Sequence, residues 1–162
     1  VVFTREAAAY AESHLCILSG FYGVLRPFDR VTPYRLEMQA ALQVGDKRNL
    51  YEFWGEKLYQ AVLDEDRTIV NLASKEYSRA VEKYLQPEDR FITIVFGELQ
   101  DGAVKQKGTF AKMARGEMVR YMAENQIGKL ERLREFNVLG YAYAEEYSGE
   151  RECVFLRKAG TC

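Results

Sequence analysis

Residues 90–106 read RFITIVFGELQDGAVKQ, a β-branched and aromatic run that reverses at Asp101-Gly102 and resumes as a shorter apolar segment. Asp-Gly readily takes the positive φ that a tight primed turn needs, so a β-hairpin is predicted here. A second hairpin is read in YAYAEEYSGERECVFLR around Ser148-Gly149, and TIVNLA at 68–73 reads as a compact strand. CILSG at 16–20 reads as a short buried strand closed by Gly20, and the weakly alternating YRLEMQAALQV at 34–44 as another. Helical periodicity fills the intervals. Thr4 can cap REAAAYAESHL, with Glu6 suited to the positive end of the dipole. Behind a capping Asn49, Leu50, Phe53, Trp54, Leu58, Ala61 and Val62 fall at helical spacing over NLYEFWGEKLYQAVL. SKEYSRAVEKYL begins at Ser74 and is stopped by Pro87; further helices are read from about Thr109 to Asn125 and near Lys129 to Arg134. Strands and helices are interleaved and some pairings are hairpins. The predicted class is therefore α/β (α+β mixed), a mixed β-sheet with antiparallel hairpins and packed helices.

The chain has 162 residues, 48% of them apolar, enough for one well-buried core, and residues 1–162 are read as a single domain. Because it opens Val1-Val2 without an initiator methionine, it is expected to be the carboxy-terminal portion of a longer protein. Charge is balanced, 23 basic against 24 acidic side chains, so a site for phosphate or nucleic acid has to be a local patch. No apolar run approaches the ~18–20 residues that cross a bilayer and no signal pattern opens the chain, so a cytoplasmic protein without a membrane partner is expected. Cys16, Cys153 and Cys162 are too few and too scattered for a disulfide scaffold or a zinc or iron-sulfur pattern, and are read as reduced thiols.

One segment concentrates cations in a stiff setting. GFYGVLRPFDRVTPYRLEM, 20–38, sets Arg26, Arg30 and Arg35 among the rings of Phe21, Tyr22, Phe28 and Tyr34, with Pro27 and Pro33 forbidding a continuous helix. Asp29 and Glu37 are the nearby acids. Arg35 and Glu37, two apart on a strand, would share a side and form an ion pair; a general acid or base is the alternative role for Glu37. VKQKGTFAKMARGEMVR, 104–120, carries Lys105, Lys107, Lys112, Arg115 and Arg120 against Glu117 alone. Lys112 and Arg115, three apart on a helix, repel unless an anion or carboxylate lies between them. Gly116 weakens that helix by roughly 1 kcal/mol relative to alanine, which suits a place where something approaches the backbone. Phe110, Ala114, Met118, Tyr121 and Met122 form the stripe that must pack. A solvated basic face remains the alternative.

In TIVNLASKEY a strand ends and a helix begins, with Asn71 and Ser74 at the junction where amides point into a crevice in open α/β sheets; an ordinary cap at Ser74 reads equally well. His14 is the one histidine, which excludes a histidine triad or multi-histidine metal site in this sequence. It is read as a core or surface residue, and Trp54 as core. Walker, GxGxxG, HExxH and GxSxG motifs are missing, so no cofactor and no metal are expected.

LSGFYGVLRPFDRVTPYRLEM, FWGEKL, VNLASKEY, FAKMARGEMVRYMAEN and FNVLGYAY resemble, in that order and at similar spacing, blocks of the YaaA family of bacterial peroxide-stress proteins, from about Leu15 to Lys158. Members of that family are longer at the amino end, with an ISPAK block and a helix-hairpin-helix that this sequence lacks. The resemblance implies a cytoplasmic α/β protein with a positively charged cleft that binds DNA and limits iron-driven damage under hydrogen peroxide. The positions matching its blocks are Arg26, Tyr34, Arg35, Glu37, Trp54, Asn71, Ser74, Tyr77, Lys112 and Arg115. The expected site sets Arg26 and Arg35 opposite Lys112 and Arg115 for phosphate or DNA, with Tyr34, Trp54, Asn71, Ser74 and Tyr77 lining it. Arginine forks suit phosphate oxygens and Lys112 adds a point charge. The alternative is an enzyme acting on a nucleotide or nucleobase in the same place, with Glu37 as acid or base and Asn71 or Tyr77 orienting the substrate.

Overall fold

The structure, a computed structural model, describes residues 3–158. It confirms the mixed α/β class, with helices, antiparallel hairpins and a parallel pairing of strands. Two compact units are distinguished, one formed by residues 14–91 and the other by 1–13 together with 92–162.

The 14–91 unit opens with the hairpin β1 (Ile17–Ser19) and β2 (Gly23–Leu25), paired antiparallel. Gly23–Leu25, within the stiff 20–38 segment, thus form a strand, and the loop proper runs on from Arg26. The strand expected over 34–44 does not form. Leu36, Met38 and Ala40 do turn inward with period two, but the backbone finds no neighbouring strand and bonds locally, Ala40 N–H to Glu37 O at 3.1 Å and Leu42 N–H to Ala40 O at 2.8 Å. The single helix expected over 49–63 is two, α1 (Leu50–Trp54) and α2 (Lys57–Val62), broken where Gly55 turns to φ +54°. Asn49 caps the first, its side chain accepting from Glu52 N–H at 3.0 Å. After β3 (Thr68–Asn71), helix α3 (Lys75–Glu82) begins behind Ser74, which occupies the cap position but makes no capping side-chain bond. Met38, Leu50, Leu58, Tyr59, Ala80 and Val81 form this core.

In the other unit, α4 (Arg5–His14) starts at Thr4, whose Oγ1 accepts from Ala7 N–H at 3.1 Å. The long strand β4 (Arg90–Gln100), whose first two residues belong to the 14–91 unit, turns back through Asp101 (φ +53°) and Gly102 (φ +76°) into β5 (Ala103–Lys105), the predicted hairpin. Helix α5 (Gly108–Glu124) follows, then a 3-10 turn at Leu130–Glu135. Strand β6 (Tyr141–Tyr143) pairs antiparallel with β7 (Glu152–Arg157), the second predicted hairpin, and β7 lies parallel to β4. Phe96, Phe136, Tyr141 and Phe155 pack edge-on or tilted in a buried cluster with Leu133, and Met118 is fully buried on α5. Of the expected α5 stripe, Ala114 and Met118 are sealed; Phe110, Tyr121 and Met122 are half-buried, and Ala111 and Ala123 complete the inward face.

Candidate functional site

Segment 20–38 is held by side-chain bonds to its own backbone. Ser19 is 2% exposed, and its Oγ accepts from Phe21 N–H at 3.2 Å and Tyr22 N–H at 2.9 Å while meeting Tyr34 Oη at 2.5 Å. Tyr22 Oη accepts from Thr32 N–H at 2.9 Å, joining the two limbs of the loop a second time. A Cβ on Gly20 would stand 2.9 Å from Leu36 O, and one on Gly23 2.8 Å from the Trp54 ring. Trp54 also donates Nε1–H to Gly20 O at 3.0 Å. These contacts explain why Trp54 is half-buried as a clamp beneath the loop. At its tip Arg26 and Asp29 close a turn around Pro27: Arg26 N–H donates to Asp29 Oδ2 at 2.7 Å, and Asp29 N–H to Arg26 O at 3.2 Å. Stiffness therefore comes from the prolines and from hydroxyls that bridge the loop.

The loop leaves its cations outside. Arg26, Arg30 and Arg35 are exposed, and among the described residues no carboxylate lies within 4.0 Å of any of the three guanidiniums. The expected Arg35–Glu37 pair is not formed, because the strand that would have put both on one side does not exist. Arg26 instead donates Nη1–H to Cys16 Sγ at 3.1 Å. The thiol of Cys16 is pushed up by burial, against the pull of Arg26, with Asp64 adding to the rise. Cys16 and Cys153 are both free thiols, and Cys162 lies outside the described residues.

Around the loop the same unit gathers several of the expected lining residues. The hydroxyl of Tyr77 is pushed up by burial and then by Glu76, partly opposed by a hydrogen bond with the Met38 backbone; Tyr34 and Glu37 are close enough to add to the rise. Glu76 in turn accepts from Gln39 N–H at 3.3 Å and, through its backbone oxygen, from Tyr51 Oη–H at 2.7 Å. Asn71 is 6% exposed and its Oδ1 accepts from Ala73 N–H at 3.0 Å, shaping the β3–α3 junction. Thus Tyr34 and Glu37 lie within electrostatic reach of Tyr77, Trp54 supports the loop from below, and Asn71 and Ser74 form the strand-to-helix corner.

Lys112 and Arg115 belong to the other unit, on α5. Lys112 is exposed. Arg115 is half-buried, burial pulls its guanidinium below the ordinary arginine range, and Nη2–H donates to Gln106 Oε1 at 3.2 Å. No carboxylate among the described residues lies within 4.0 Å of either, so the repulsion expected between them has no internal remedy. A Cβ at Gly116 would meet nothing within 4 Å.

Not all of the basic stretch is free. Lys107 Nζ lies 2.8 Å from Glu98 Oε2, and Arg120 Nε donates to Glu124 at 2.7 Å. Glu98, 1% exposed on β4, and its partner Arg157 were passed over by the sequence reading; an acid at an inward position of an otherwise apolar strand was the available signal. Ser19 was passed over too, since nothing in LSG marks a serine that organises a loop. His14 is exposed. Among the described residues no three His, Cys, Asp or Glu side chains are gathered to hold a metal, and no helix is long and apolar enough to cross a membrane.

The chain is 54% identical to a UPF0246 protein of Agathobacter rectalis over 97% of its length and 63% of the relative's. It is 53% identical to UPF0246 proteins of Desulfitobacterium hafniense and of Pediococcus pentosaceus, over 96% of its length and 62% of theirs. It thus spans less than two thirds of the relatives it matches. Residues 2–147 match the family described as "Peroxide stress protein YaaA", and the chain belongs to that family.

Proposed function

We propose that this chain belongs to a cytoplasmic protein that helps bacteria withstand hydrogen peroxide by binding DNA through phosphate contacts, and so limits iron-driven damage to it. The family's description supports the peroxide link. The observation that carries DNA binding is that the four cations matching the family's blocks are left without acid partners. Arg26, Arg35, Lys112 and Arg115 have no carboxylate within ion-pair reach among the described residues, while Lys75, Lys107, Arg48, Arg67 and Arg120 are each paired. Arg26 and Arg35 sit on a loop whose backbone is fixed in advance, so little backbone freedom remains to be lost when phosphate arrives. Each set can take phosphates by itself, since duplex DNA carries one charge per ~1.7 Å of axis.

A fluorescence titration of a labelled duplex against salt tests this reading. Four phosphate contacts give a slope of log affinity against log salt near −3.6, at about −0.9 per contact, and Lys112→Ala with Arg115→Ala reduces it by about 2. Affinity that ignores salt, or that the double variant leaves untouched, overturns it.

The electrostatic reach of both Glu37 and Tyr34 to the Tyr77 hydroxyl favours a second reading, an enzyme acting on a nucleotide or nucleobase. In that case Glu37→Gln spares DNA affinity yet abolishes protection of cells against peroxide. A fully protective Glu37→Gln variant removes the proposed acid or base.

A further inference from the structure

The loop displays rings that no core claims. Phe21 is 56% exposed, Phe28 60% and Tyr34 43%, all within the 14–91 unit. Phe21 and Tyr34 lie with centroids 5.3 Å apart and planes tilted by 32°, and Tyr22 meets each edge-on, at 4.9 and 5.5 Å. Such exposure is costly for a chain that has buried rings of the same kind elsewhere, and contiguous exposed apolar patches mark binding surfaces. The rings are also fixed in place: Ser19 holds the Phe21 and Tyr22 amides and the Tyr34 hydroxyl, and Tyr22 Oη holds Thr32 N–H. Chain connectivity sets Arg35 next to Tyr34, and Arg30 two residues from the clamped Thr32. Both are exposed, and no carboxylate among the described residues lies within 4.0 Å of either guanidinium. Flat apolar faces beside unneutralised guanidiniums complement a polyanion whose bases are unstacked. A paired duplex keeps its base faces covered, whereas a single strand offers one π-face per nucleotide beside each phosphate.

We propose that Phe21, Tyr22 and Tyr34, with Arg30 and Arg35 beside them, form a stacking platform for the unpaired bases of single-stranded nucleic acid. This deepens the DNA-binding reading and rests on it, but it places the discriminating contact on rings where the duplex reading places only phosphate contacts. A helix or an extended peptide would use the rings equally well; the arginines without acid partners are what favour the polyanion.

Anisotropy of fluorescein-labelled oligonucleotides of about 12 nucleotides, within the ~4–16 that one single-strand module covers, tests the platform with the whole chain. Probes are a single strand and the duplex of the same sequence. Phe21→Ala is expected to weaken the single strand about tenfold and to leave the duplex within twofold, since one stacked base is worth about that much. Phe21→Leu, which keeps apolar bulk without a stacking face, should lose as much. Arg35→Ala should weaken both probes and flatten the salt dependence of both. Circular dichroism and thermal melts of each variant separate loss of contact from loss of fold; Phe21 is exposed, so neither should move. Three outcomes overturn the proposal: Phe21→Ala leaves single-strand affinity unchanged, the two probes weaken equally, or light scattering shows that Phe21→Ala splits a dimer, which makes the rings a self-interface. If the duplex binds with its expected salt slope while the single strand ignores Phe21, the general DNA reading survives and the platform does not. A chain that binds neither probe overturns both.

Discussion

Arg157 Nε donates to Glu98 Oε1 at 2.7 Å with the two side chains 6% and 1% exposed, and the parallel register of β4 and β7 sets these two residues directly opposite. The arginine carbon Cζ stands 3.5 Å from the centroid of Phe110, so the guanidinium is stacked as well as paired. A one-residue slip of β7 would leave both charges buried and separate, so the pair pins the register of the parallel strands.

Removing one partner is therefore worse than never having had the pair. Arg157→Ala strands the Glu98 carboxylate with Lys107 alone and should cost about 3–5 kcal/mol of stability, read from the urea midpoint. Arg157→Lys should recover only part of the loss, because a point charge neither forks to the carboxylate nor stacks on Phe110. Full recovery by lysine would mean that charge alone matters here.

The same cluster predicts a pH dependence. Hydrogen bonds from Lys107 and then Arg157 hold the Glu98 carboxyl below its ordinary value, against the opposing effect of burial. A carboxylate so depressed adds stability that is complete above its unfolded pKa of about 4.3 and is lost as pH falls through the lower folded value. The stability gap between wild type and Glu98→Gln should hold steady from pH 7 to about 5 and narrow below about 4.3. Since Asp89 and Glu82 are also depressed, the difference between the two proteins carries the test. A gap that stays constant to pH 3 contradicts it.

What the sequence disclosed follows from how local each cause is. Asp101-Gly102, Thr4 and Asn49 act within a few residues, and each did what its chemistry predicted. The strand expected at 34–44 failed because alternation records which side chains turn inward, as Leu36 and Met38 do, and says nothing of whether a neighbouring strand exists to pair with. At Gly55 the interruption was local too, but the hydrophobic spacing ran through it and outweighed one glycine. At the candidate site, the stiffness and the arginines of 20–38 were legible, since prolines and rings are visible in one dimension. Ser19 holding Tyr34, fifteen positions away in sequence, was not. Nor was the neutralisation of Lys107 by Glu98, which depends on the exact register of the β4–β5 hairpin and on the path of the chain beyond Lys105.

Gly23 should tolerate no side chain. Its φ is +81°, where a Cβ is strained, and that Cβ would stand 2.8 Å from the six-membered ring of Trp54. Gly23→Ala is expected to cost about 1–3 kcal/mol, combining the backbone penalty with overpacking. Because Trp54 is the sole tryptophan, its emission should report the displaced ring directly. An unshifted spectrum with unchanged stability would show that the ring does not rest on Gly23.

Gly116 should behave in the opposite way. It lies inside α5 with no positive φ, and an added Cβ would meet nothing within 4 Å. Alanine there gains helix propensity without a clash, so Gly116→Ala should raise stability by about 0.5–1 kcal/mol. A glycine that weakens its helix where an added Cβ would meet nothing among the described residues is explained if a partner's backbone comes close, one turn after Lys112. The variant should then be more stable and bind duplex DNA more weakly, with the methyl group holding phosphates off the helix. Stability and affinity moving in opposite directions is the diagnostic result. If Gly116→Ala is stabilised and binds as before, the glycine has no part in binding.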